Sequence, residues 1–186
     1  MIDDHYLIVP GWHGSNVDHW QSHWQSRLVN SSRTRVESWS HPERNDWIEA
    51  LNRAVAGASA PVVLVAHSLG CITVAHWAGR YPSLTQKIKG ALLVAPADVE
   101  RGSVSQHLVD FAPIPLAPLP FASLVVGSTN DPAASLERIQ QFANAWTSAL
   151  HVIQGAGHIN TQSGHHRWPE GMRLLGCFTP CEHRIA

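Results

Sequence analysis

Six short runs of apolar, mostly β-branched residues lie at 6–9, 34–38, 62–66, 90–95, 122–127 and 150–153. They alternate with longer amphipathic stretches at 17–28, 44–57, 69–80, 133–146 and 167–176. Most of the short runs are brief and apolar, the signature of strands buried on both faces. The longer stretches repeat their apolar positions every three to four residues, as helices laid against a sheet do. That rhythm predicts the α/β class: one mostly parallel sheet with helices on both faces. No internal repeat interrupts it.

The third run, Val62-Val63-Leu64-Val65, leads into Ala66-His67-Ser68-Leu69-Gly70 and then into a helical stretch. Strand, small-x-Ser-x-Gly and helix in this order describe a nucleophile elbow, a sharp turn that holds a serine hydroxyl clear of the sheet. The small residues at Ala66 and Gly70 allow the backbone to bend tightly, although Ala66 stands where the usual pattern has glycine. Such a serine needs a base and an acid, each placed just past a later strand. Asp131 follows the fifth run within Asn130-Asp131-Pro132, and His158 follows the sixth within Gly155-Ala156-Gly157-His158. In this scheme Ser68 attacks an acyl carbonyl, His158 carries the proton, and Asp131 orients the imidazole. Asp98, also just past a strand, is the alternative acid. The plainer reading of Asp131-Pro132 is the start of the helix at 133–146, and the catalytic one is preferred.

Two N–H donors must face the oxyanion of the tetrahedral intermediate. The elbow offers Leu69 at the start of its helix, and the Pro10-Gly11-Trp12-His13-Gly14-Ser15 turn after the first run offers Trp12.

These segments, with His19-Trp20-Gln21, Trp24, Ala95-Pro96-Ala97-Asp98-Val99-Glu100, Ile159-Asn160 and Trp168-Pro169-Glu170-Gly171, resemble a family of small α/β-hydrolase serine hydrolases. That family includes retinoblastoma-binding protein nine and its bacterial relatives, and the likeness runs nearly end to end. It implies a trimmed hydrolase fold of six strands in the order 2-1-3-4-5-6, without a large cap domain. It also implies Ser-His-Asp catalysis at Ser68, His158 and Asp131 with no cofactor and no metal. Binding to the retinoblastoma protein is not implied. Leu69-Gly70-Cys71-Ile72-Thr73, the nearest string to the L-x-C-x-E peptide, lacks the glutamate.

With 186 residues the chain suffices for one domain, 1–186, with a frayed tail expected from about 177. Thirteen Lys and Arg against fourteen Asp and Glu form no basic patch, which argues against nucleic acid or an anionic membrane as partner. No apolar run approaches membrane-spanning length. Three cysteines, an odd number, and the absence of a visible signal peptide fit a reducing cytoplasm. The expected partner is a small acyl substrate; protein partners are left open.

Other features carry plainer readings. Four prolines within 112–120 exclude a helix interior or a central strand and predict either a stiff wall over the acyl pocket or a rigid connector. His67 is expected to pack or hydrogen-bond beneath the elbow, and His13 to face substrate or solvent. His19 and His23 have the i, i+4 spacing of a metal pair but lack a third ligand nearby, so they belong to a helix whose Trp20 and Trp24 pack on the sheet. Cys177, Cys181 and His183 do not match a recognised zinc spacing. The chain therefore reads as an esterase-like serine hydrolase; the alternative is a binding or scaffold protein on an idle hydrolase fold.

Overall fold

The computed structural model describes residues 4–178. Its frame is a single six-stranded sheet, β1 (His5–Val9), β2 (Ser31–Arg33), β3 (Val62–His67), β4 (Ile88–Val94), β5 (Ser123–Ser128) and β6 (Ala149–Ile153). The order is β2-β1-β3-β4-β5-β6. Every pairing is parallel. Parallel neighbours need crossover connections; α1 (Trp20–Gln25), α2 (Arg44–Gly57), α3 (Leu69–Arg80) and α4 (Leu136–Ala145) supply four of the five, the β4–β5 connection carries the 3-10 turn Gln106–Phe111 instead, and α5 (Pro169–Leu175) follows β6.

Strand alternation divides the core between the two faces of the sheet. Leu7, Val9, Leu64, Ala66, Leu93 and Val125 point toward α2, α3 and α4, where Trp47, Leu51, Trp77 and Phe142 close the layer. Ile8, Val63, Val65, Leu92 and Val126 point the other way, onto Trp20 and Trp24 of α1 and Leu175 of α5. β3 lies at the centre, and all six of its residues are buried. Each wholly buried indole removes roughly 150–250 Å² from water, about 4–6 kcal/mol at ~25 cal/mol/Å².

Three elements depart from the expected bounds by three residues or more. The second strand is Ser31–Arg33 rather than 34–38. Val36, which suggested a strand there, instead packs against the core from a loop. The first helix covers Trp20–Gln25 only, because His19 caps it by accepting from the Gln21 N–H. The helix expected from 133 begins at Leu136, capped by the Ser135 side chain. Asp131-Pro132 is therefore loop and not the start of the helix.

The proline segment runs as a connector pinned to its surroundings. Ile114 and Leu119 are buried, the Trp146 indole donates to the Pro115 carbonyl at 2.8 Å, and Glu100 accepts from the Ile114 N–H at 3.0 Å. No helix among the described residues is long and apolar enough to cross a membrane. The expected frayed tail, apart from its first residues Cys177 and Phe178, lies outside the described residues.

Candidate active site

In an all-parallel sheet every loop after a strand leaves from the same carboxyl edge, so the loops after β1, β3, β5 and β6 share one rim. Ser68 occupies the turn between β3 and α3 at φ 55°, ψ −121°, a conformation that costs an L-residue about 1–3 kcal/mol. The turn is held by the Ser68 N–H donating to Val94 O at 2.9 Å and the Cys71 N–H donating to Ser68 O at 3.0 Å. Its tightness requires glycine at two contacts. A Cβ on Gly70 would stand 2.3 Å from Val9 O and 2.7 Å from Pro10 O. One on Gly11 would stand 2.7 Å from Ser68 Cβ.

The structure brings Ser68, His158 and Asp131 together from three loops. His158 Nε2 lies 2.9 Å from Ser68 Oγ, and Nδ1 lies 2.9 Å from both Asp131 oxygens. Since the carboxylate can only accept, Nδ1 carries the proton and Nε2 is free to accept from the serine hydroxyl. The Asp131 side chain is wholly buried and also accepts from the Ala133 N–H at 2.7 Å. Asp98 is engaged elsewhere: it forms an ion pair with Arg138 at 3.3 Å and accepts from the Glu100 N–H at 3.0 Å.

Trp12 follows Gly11 in the loop that presses on the serine, and Leu69 is the first residue of α3. Their backbone N–H groups donate to no acceptor among the described residues, as suits groups awaiting an oxyanion. The loop is braced from behind. The Trp12 indole donates to Ser40 O at 3.0 Å, and the His13 N–H donates to Trp39 O at 3.0 Å.

Beneath His158 lies a support that the sequence signalled only in part. His67 Nε2 donates to the His158 carbonyl at 2.9 Å, and the Trp20 indole donates to the next carbonyl, Ile159 O, at 2.8 Å. Trp24 holds the same segment further on, donating to Arg167 O at 3.0 Å. Gln21, wholly buried, donates to Val9 O and Val65 O, tying α1 to two strands. Burial pushes the His19 imidazole down to about 4, helped by nearby Arg33 and His158. Burial likewise holds His67 well below the usual histidine range, with His158 and His19 adding to the effect. Both rings are neutral at pH 7, so neither opposes positive charge forming on His158. His19 caps α1, while its Nε2 is buried without a partner among the described residues.

No group of three or more His, Cys, Asp or Glu positioned for a metal occurs among the described residues. Cys181 and His183 lie outside them.

A family model described as serine hydrolase matches residues 6–177. Among solved structures, a protein described as a YdeN-like hydrolase from Pectobacterium atrosepticum is 33% identical; the match covers 94% of this chain and 90% of that one at a TM-score of 0.82. The ydeN gene product of B. subtilis is 21% identical over 95% of this chain and 98% of that chain, with a TM-score of 0.71. Esterase 2 of Thermogutta terrifontis, in a form phosphorylated by paraoxon, shares 15% identity over 94% of this chain and 81% of its own, with a TM-score of 0.67. These last two likenesses concern the fold. No curated protein matches the chain.

Proposed function

We propose that this chain, which belongs to the serine hydrolase family, cleaves a carboxylic ester or related small acyl compound through an acyl-serine intermediate. The observation that carries the reading is the unbroken line Ser68 Oγ, His158 Nε2, His158 Nδ1, Asp131, with each link at 2.9 Å. Ser68 Oγ forms a bond to the carbonyl carbon while its proton passes to His158 Nε2. The carbonyl electron pair moves onto oxygen, facing the Leu69 and Trp12 N–H groups. Collapse of that oxyanion breaks the bond to the leaving group, which takes the proton from His158. Water then adds to the acyl carbon with His158 again as base, releasing the acid and restoring the serine. Asp131 keeps the tautomer and stabilises the imidazolium throughout. No step of this scheme calls on a metal or a cofactor. A reducing cytoplasm is the setting we propose; the free thiol of Cys71, buried in α3, is in keeping with it.

The test is intact-mass spectrometry after exposure to a fluorophosphonate, with peptide mapping of the adduct. A single adduct on Ser68, absent in Ser68→Ala, is expected. A well-folded wild type that takes up no adduct would overturn the reading.

A further inference from the structure

The loop 10–15 carries the Trp12 N–H, and its two ends are held by a network of amide, hydroxyl and guanidinium groups outside the proton relay. At its start, Val9 is the last residue of β1, and its carbonyl accepts from Gln21 Nε2 at 3.3 Å. At its end, the Ser15 hydroxyl donates to Gln21 Oε1 at 2.6 Å. The other Nε2 hydrogen goes to Val65 O at 2.9 Å, on β3 three residues before the nucleophile. One side chain of α1 therefore grips both ends of the loop and ties them to the strand that presents Ser68. Between those ends the Gly14 N–H closes a turn on Gly11 O at 2.9 Å, and Gly11 packs against Ser68 itself.

Only a primary amide can serve these three partners, because it alone sets two donor hydrogens on one atom beside an acceptor; a carboxylate lacks the donors and an ammonium lacks the acceptor. Gln21 is wholly buried, and burying an amide costs free energy unless its polar atoms are paired. Here the pairing is with the oxyanion loop and the nucleophile's strand. The far end of the loop has a second anchor. Ser15 O accepts from Arg33 Nη1 at 3.0 Å and from the Ser22 hydroxyl at 3.2 Å, and Arg33 is itself held by Gln25 and Ser22, at 2.9 Å each. Oxyanion donors act at about 2.7–3.1 Å from the developing charge, so a loop whose ends slip by about 1 Å forfeits much of their effect.

We infer that Gln21 is a positioning residue for the oxyanion hole: by pinning both ends of the loop 10–15 to β3, it sets the Trp12 N–H against Ser68. This rests on the serine hydrolase reading above. The amide spends its hydrogen bonds on the loop and the strand and acts on the reaction only through them. Trp20 and His67 work on the other half of the machinery, through the carbonyls of Ile159 and His158. Disturbing them misplaces the base, whereas disturbing Gln21 misplaces the donor.

Sulfur distinguishes the two. A fluorophosphonate with P=S in place of P=O puts a poor hydrogen-bond acceptor where the negative charge develops, while attack on phosphorus still draws on Ser68, His158 and Asp131. The readout is the ratio of second-order rates of Ser68 labelling by the P=O and P=S reagents, followed by intact mass and each divided by that reagent's hydrolysis rate in buffer. Wild type should favour P=O by about thirtyfold or more. In Gln21→Met, which keeps the length of the side chain and loses all three hydrogen bonds, the ratio should fall about tenfold or more. Ser15→Ala, which removes one of the three and spares the anchor at Ser15 O, should lower it about threefold. Trp20→Phe should slow both reagents alike and leave the ratio within about twofold of wild type. A wild-type ratio in folded Gln21→Met would overturn the inference, as would an equal fall in Trp20→Phe. If Gln21→Met does not fold, Ser15→Ala decides, and an unchanged ratio there overturns it. Wild type that labels at Ser68 without favouring P=O overturns this inference alone; wild type that labels with neither reagent overturns the serine hydrolase reading, and this inference with it.

Discussion

Replacing Trp20 with phenylalanine tests whether the tryptophans of α1 hold the histidine loop for catalysis or only fill the core. Trp20 is wholly buried, and its N–H donates to the Ile159 carbonyl at 2.8 Å. Phenylalanine leaves that carbonyl buried and unpaired, a cost of about 1–3 kcal/mol. The smaller ring opens roughly 40 Å³, which at ~24 cal/mol per Å³ adds about 1 kcal/mol. The sum is about 2–4 kcal/mol of lost stability. Trp24→Phe is the matched control: it loses a comparable bond, but to Arg167, nine residues beyond His158. Stability is measured by urea unfolding followed by far-UV circular dichroism, and kcat with a chromogenic ester at a temperature where both variants are folded. Trp20→Phe should lower kcat by about tenfold to a hundredfold, the scale of a displacement near 1 Å at the reacting groups, with KM little changed. Trp24→Phe should stay within about threefold of wild type. Equal kcat losses in the two variants, or wild-type kcat in Trp20→Phe, would refute the assignment of Trp20 as a positioning residue.

Further outcomes follow from the same geometry. Asp131→Asn should reduce kcat/KM by about 10³–10⁴-fold because the wrong imidazole tautomer is then favoured; Asp98→Asn, which perturbs only the Arg138 ion pair, should stay within about tenfold. Gly70→Ala drives a Cβ into two backbone carbonyls and should cost more than about 3 kcal/mol, visible as a large drop in Tm or in soluble yield. The depressed folded-state value of His19, about 4 against an ordinary 6.5, means that the unfolded chain binds the proton first as pH falls. Its contribution is present above about pH 6.5 and is lost progressively down to about pH 4. At pH 5 it amounts to about 2 kcal/mol less stability than at pH 8. Urea titrations at the two pH values should show this difference, and His19→Asn, which keeps a capping acceptor, should lessen it.

The parts of this molecule most legible in the sequence are those where local pattern and tertiary environment agree. β3 is apolar at five of its six positions and buried on both faces, so its run was unmistakable, and the elbow after it depends on small residues that only such a turn demands. Ser31-Ser32-Arg33 gave no such signal. It forms a partly exposed edge strand whose pairing with β1 is a backbone matter, while the β-branched Val36 next door packs from a loop. The supporting groups of the site were harder to foresee for a related reason. Trp20 read as core, and it is core, yet nothing local says that its N–H would meet a carbonyl 139 residues away. Gln21 is polar and yet wholly buried; amphipathic patterning assigns such a residue to the solvent face. His67 was expected beneath the elbow, and it is there, but its partner was fixed only when β6 delivered the His158 loop beside β3's end.

The left-handed backbone of Ser68 has an evolutionary consequence. A residue held at φ 55° stores strain that the surrounding fold must outweigh, and glycine would relieve it while removing the nucleophile. Selection for persistence and selection for turnover therefore pull this position in opposite directions. A lineage released from the need to turn over its substrate would gain thermal margin by the very change that silences it. Retention of serine here is thus a mark of continued use, written into a backbone torsion rather than into any contact the side chain makes.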